Sequence, residues 1–173
     1  MKTVIMFLVC AATSLTSFAT VRTVSNNPST LGQFNTIQAA IDASADSDTV
    51  YVYGSPNTYA LFTITDKKIT VIGPGWAPDK NLPLLALVAG ANIRNSPAGG
   101  TPDGSEIHGL VFTTTVNASL NAVGGDIGVN NIRIVRCLFN GALNWDLAAS
   151  GYLIEGSIFY NVLNFNGSNT YQN

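Results

Sequence analysis

NNIRIVRCLFNG (residues 130–141) and SGYLIEGSIFYN (residues 150–161) share one rhythm, and SEIHGLVF (residues 105–112) repeats it upstream. Aligned on Phe112, Phe139 and Phe159, each segment carries an isoleucine five places earlier, at Ile107, Ile134 and Ile154. One place before the phenylalanine stands Val111, Leu138 or Ile158, and three places before it Gly109, Arg136 or Gly156. The intervals are 27 and 20 residues. One strand-forming core per 20–30 residues is the mark of a stacked-coil solenoid. A helical repeat is excluded, because the alternation has period two. A sandwich gives no reason to place Ile and Phe at the same offsets each time. Coils stacked on one another do, since each Ile then rests on the Ile below.

The preceding sequence fits the first turns of such a stack. Phe34, Ile37, Ala40 and Ile41 fall on one helical face. Asn35 and Gln38 have the spacing of a capping box, and Phe34 can staple onto Ala39. A helix is therefore expected over about residues 36–44, closed by the turn residues ADSD (residues 45–48). TVYVYG (residues 49–54), YALFTIT (59–65), KITVIG (68–73) and LLALVAG (84–90) read as short strands. A bare first edge invites aggregation, and the helix is expected to cover it.

FNTIQAAIDASADSDTVYVYG (residues 34–54), KKITVIGPG (67–75) and the I-x-G-x-x-F units together resemble right-handed parallel β-helix proteins of the pectin-lyase-like superfamily. The resemblance runs over about residues 34–161. It implies an all-β right-handed parallel β-helix with a short N-terminal capping α-helix. It does not select a function, because lyases, hydrolases, esterases, epimerases, adhesins and tailspikes share the fold.

Composition narrows the setting. The 173 residues suit one domain, with 46% hydrophobic and only 10% charged residues. A net charge of −2 gives no basic surface for nucleic acid. Met1-Lys2, the apolar run VIMFLVCAA and the small residues Ser17 and Ala19 have the order of an export signal, with cleavage expected after Ala19. That run is shorter than the ~20 residues a membrane span needs. Val9 before Cys10 argues against a lipoprotein. Residues 20–173 are then expected to form one secreted, periplasmic or cell-surface β-helix domain with no transmembrane segment. NVLNFNGSNTYQN (residues 161–173) offers no capping helix, so the expected domain is a piece of a longer solenoid, whose ends must be closed for solubility. Cys137 is left without an internal disulfide partner and reads as a small core residue.

Candidate chemistry lies on the outside of the coils, where residues alternate inward and outward. If the three isoleucines face in, Glu106, Arg133 and Leu153 form one outer ladder, and His108, Val135 and Glu155 the other. Glu106 and Arg133 are expected to pair across one coil, either as a surface ion pair or as part of a ligand-gripping groove with Glu155. His108, the only histidine, has no evident partner in sequence and is a weak acid–base candidate. Arg136, between Gly109 and Gly156 in the alignment, would stand in a shallow slot suited to a carboxylate. In the lyase branch of the resembled superfamily a basic residue removes a proton beside a uronate neutralised by a cation. Arg136 is the position that could carry that role, although free arginine stays protonated and would need a special environment.

Other site types find less support. The resembled hydrolases carry close Asp pairs, whereas Asp103, Asp126 and Asp146 are isolated and Asp46 and Asp48 sit in a turn. No pair is suggested at the ~5–9.5 Å separation of glycosidases. The resembled esterases carry Gly-x-Tyr-x-Glu, and here GSPNTYALF (residues 54–62) places Leu61 at the glutamate. No His/Cys cluster points to a metal, no cofactor is evident, and scattered Asp side chains leave calcium open without supporting it. Asn117 and Asn166 begin glycosylation sequons. The expected function is an exported module that presents a face to a polysaccharide or cell-surface glycan. The alternative is the N-terminal part of a polysaccharide lyase or glycoside hydrolase, with its site on later coils or around Arg136.

Overall fold

The computed structural model describes residues 19–76, 84–96, 99–118, 129–145 and 150–165. The expected export signal, Cys10, Asp126, Asp146 and Asn166 lie outside them. Within them the chain winds as a right-handed parallel β-helix with three sheets. The first sheet holds β1 (Val21–Val24), β2 (Thr49–Val52), β4 (Thr70–Ile72), β7 (Glu106–His108), β10 (Arg133–Val135) and β13 (Leu153–Glu155), in that spatial order. The second holds β5 (Leu87–Val88), β8 (Val111–Phe112), β11 (Leu138–Phe139) and β14 (Ile158–Phe159). The third holds β3 (Phe62–Thr65), β6 (Ala91–Arg94), β9 (Val116–Ala118), β12 (Leu143–Trp145) and β15 (Leu163–Phe165).

The repeat is the register. Ile107 pairs with Ile134, and Ile134 with Ile154. Phe112, Phe139 and Phe159 stack, with ring centroids 5.2 and 4.7 Å apart and planes tilted by 21° and 7°. Val50 and Val71 extend the isoleucine column downward. All but the last coil's members of these columns are fully buried. Burial of each such side chain stabilises by about 1.5–3 kcal/mol. Ile154 and Phe159 are partly buried against the same core. Cys137 is buried among the apolar residues, as expected, and desolvation pushes its thiol up to about 12.

In the last three coils the chain turns between the first and second sheets through one left-handed residue, with φ of 61° at Gly109, 52° at Arg136 and 56° at Gly156. The ladder continues through this corner: Gly109 N donates to Val135 O at 3.0 Å, and Arg136 N to Glu155 O at 2.8 Å. A side chain at position 109 would collide with the backbone of Gly73 and Gly75, so that corner admits only glycine.

The first coil is closed by helix α1 (Ile37–Ala43), which buries Ile37, Ala40 and Ile41. Its cap is Thr36, whose hydroxyl accepts from Ala39 N at 3.2 Å, rather than Asn35. Gln38 does not close a capping box either. Its amide reaches the free edge of β3, where Oε1 accepts from Thr63 N at 2.7 Å and Nε2 donates to Thr63 O at 3.2 Å. A side-chain amide there does what the next strand's peptide would do. Lys67 Nζ caps the other helix end through Ile41 O at 2.6 Å and Ser44 O at 2.9 Å. Residues before Phe34 add a strand, β1, which lies at the edge of the first sheet. Its register sets Arg22 beneath Val50, so the inward column ends in a charge. Arg22 Nε lies 3.4 Å from the carboxylate of buried Asp48, which also accepts from Thr20 N at 2.7 Å and Ala45 N at 2.9 Å.

Candidate functional site

The outward face of the first sheet carries the two expected ladders. Glu106 pairs in register with Arg133, and Arg133 with Leu153; His108 pairs with Val135, and Val135 with Glu155. Downward, Thr70 and Thr49 continue the first ladder, while Ile72, Tyr51 and Thr23 continue the second. Arg133 Nη1 lies 3.2 Å from both carboxylate oxygens of Glu106.

His108 is not without a partner. Its Nε2 lies 2.8 Å from Glu106 Oε2. The contact follows from strand alternation, which places residues two apart on one face. One carboxylate thus gathers an imidazole from its own strand and a guanidinium from the next. Partial burial alone would push the Glu106 pKa up, but the His108 hydrogen bond and the Arg133 charge more than offset it and hold the pKa below the ordinary 4.5. At neutral pH Glu106 is an anion and an acceptor. Glu155 stands two coils from His108 and does not join the cluster.

Arg136 sits at the corner beside this face and is exposed. No ion pair among the described residues engages its guanidinium. Its stem crosses Gly156, where a Cβ would stand 3.5 Å from Arg136 Cγ. The left-handed conformation costs a non-glycine residue roughly 1–2 kcal/mol. Asp66, Asn131 and Ser47 also have positive φ, but Asp and Asn are the non-glycine residues that visit this region most readily. Among the described non-glycine residues Arg136 is the long, charged exception.

The third sheet presents a face that the repeat alignment did not reveal. Asn92, Asn117, Asn144 and Asn164 stand in register, each amide donating to the one below at 3.1, 2.9 and 2.8 Å. The signal was present in the sequence, since Asn117, Asn144 and Asn164 each fall five places after the aligned phenylalanine. Asn117, the first residue of a sequon, is bonded on both sides. Asp103 is likewise occupied, accepting from Asn130 N at 2.7 Å. Among the described residues no group of three His, Cys, Asp or Glu side chains is placed to hold a metal, and no helix is long and apolar enough to cross a membrane. No family model, curated protein or solved structure matches this chain.

Proposed function

We propose that this β-helix is an exported module whose first-sheet face binds an acidic glycan, with Arg136 as its anion hook. Arg136 carries the reading: an exposed cation without an ion pair among the described residues is held in a backbone conformation that disfavours it, between two glycine corners. Strain of this kind persists at ligand clamps when the surrounding structure over-determines it. The Glu106–Arg133–His108 cluster lies on the neighbouring face. There Arg133 offers further charge, while Glu106 and Glu155 offer acceptors to sugar hydroxyls.

Arg136→Gly separates binding from folding. Removing the left-handed strain, less the backbone entropy of glycine, should raise stability by roughly 0.5–1 kcal/mol in a urea titration. Loss of a charge-assisted bond of about 1.5–3 kcal/mol should weaken an acidic oligosaccharide by about 10- to 100-fold in calorimetry. A variant that is more stable and binds equally well would remove Arg136 from the site.

The lyase alternative rests on the same exposed guanidinium, acting beside a uronate. It requires new ultraviolet absorption from unsaturated products when the full chain meets a uronate polymer, and loss of that signal in Arg136→Gly.

A further inference from the structure

Over the four coils of β2, β4, β7 and β10 the two outer ladders of the first sheet differ in kind. One runs Thr49, Thr70, Glu106, Arg133, all hydroxyl or charged, and ends in Val21 below and Leu153 above. The other runs Tyr51, Ile72, His108, Val135, all aromatic, aliphatic or a flat ring, and ends in Thr23 below and Glu155 above. They are two residues apart along each strand, or ~6.5–7 Å, and each repeats once per coil at ~4.8 Å. Tyr53 widens the second ladder at its lower end, its ring meeting that of Tyr51 edge-on with centroids 5.2 Å apart. Both tyrosines face outward, because Val50 and Val52 between and beside them are fully buried. Both rings remain partly accessible.

The result is a track along the solenoid axis, apolar on one side and hydrogen-bonding on the other. A pyranose ring has the same division, with C–H faces and a hydroxyl rim. From Tyr51 to Val135 the track crosses three coil spacings, ~14–15 Å. No carboxylate stands on its lower half, at Thr49, Tyr51, Thr70 and Ile72, while the upper half carries Glu106, Arg133 and, at the corner, Arg136.

We infer that the ligand is a linear glycan lying along the axis, with a neutral sugar packed on the Tyr51–Tyr53 platform and an acidic sugar at the Arg133–Arg136 end. This rests on the glycan reading above and adds the neutral subsite, the direction of the chain and the mixed composition. Hexasaccharides of hyaluronan, which alternate uronate and neutral units, serve as the probe, beside all-neutral chitohexaose and the all-acidic hexamer of galacturonate. The intact protein should bind the mixed probe tightest. Tyr51→Ala should weaken the mixed and neutral probes at least tenfold, and the all-acidic probe by less than threefold. Tyr51→Phe, which keeps the ring, should restore the mixed probe to within threefold. Arg136→Gly should weaken both acidic probes and spare chitohexaose. If Arg136→Gly abolishes binding while Tyr51→Ala binds all probes within twofold of the parent, the neutral subsite is overturned and the anion hook stands. If the parent binds none of the three, the glycan reading itself is overturned.

Discussion

Glu106 and Asp48 are carboxylates held ionised by different means. Asp48 is buried, which by itself would raise its pKa; the Thr20 and Ala45 amides and Arg22 more than offset that and lower it below the ordinary 3.8. Glu106 is lowered by His108 and Arg133 against its own partial burial. A depressed carboxylate pKa contributes stability that is complete above the unfolded value and is lost as pH falls through the folded one. The unfolding midpoint should therefore hold level from neutral pH to about 4.5 and fall below it. Asp48→Asn should flatten that fall more than Glu106→Gln, because the Asp48 carboxylate is the more buried. Equal acid sensitivity in Asp48→Asn and the parent, followed by denaturant titration at several pH values, would contradict the pairing. Strand alternation put Glu106 and Arg133 together from sequence. It also places His108 beside Glu106, a partner two residues away on the same strand rather than on a neighbouring coil.

Edges decide where strands stop. The cap helix was legible because four apolar residues mark one face of it. Its cap was not, because Asn35 and Thr36 are both competent and only geometry picks the threonine. Gln38 could not be foreseen as an edge surrogate, since its partner Thr63 lies in a strand 25 residues away. Gln38→Ala should cost about 1–2 kcal/mol, the value of two side-chain hydrogen bonds at a partly buried site. It should also speed hydrogen exchange at the Thr63 amide, with exchange at Ile134 changing only as far as global stability does. Exchange at Thr63 that follows global stability alone would deny the surrogate role. Of the third sheet only β3 was legible, within YALFTIT, and its later strands escaped for a different reason. Its strands β9 and β12, each one asparagine between two buried apolar residues, lie beyond the phenylalanines at which the shared rhythm ends. Asn117→Ala removes a rung bonded on both sides and should cost about 1–2 kcal/mol, more than Asn92→Ala, whose amide lies at the lower end of the ladder. Equal losses in urea titrations would mean that the amides do not act as a ladder.

Across the whole chain, fold and function differ in how far sequence reaches. The fold is periodic, so three segments sharing Ile and Phe offsets expose it. Their columns carry the stability: isoleucine on isoleucine, ring on ring, and at the lower end a half-buried ion pair and a helix. The candidate site has no period. Arg136 interrupts a repeat that is otherwise glycine, and the φ of its backbone, which makes it unusual, is a property of the folded corner alone. The neutral half of the face, at Tyr51 and Tyr53, reads in sequence as an ordinary strand, and only the register brings it into line with His108.

Every surface assignment depends on coils lying in register, and engineered cysteine pairs report that directly. In-register outward neighbours are ~4.8 Å apart, inside the 4.4–6.8 Å Cα range that a disulfide accepts, whereas residues two coils apart, at ~9.6 Å, lie outside it. Cys137 is buried and its thiol stays protonated, so it should not compete. Under mild oxidation, Thr49→Cys with Thr70→Cys, and Val135→Cys with Glu155→Cys, should each close within one molecule, while Thr70→Cys with Arg133→Cys should stay reduced by mass spectrometry. Closure of the two-coil pair, or failure of both in-register pairs, would contradict the stacked architecture.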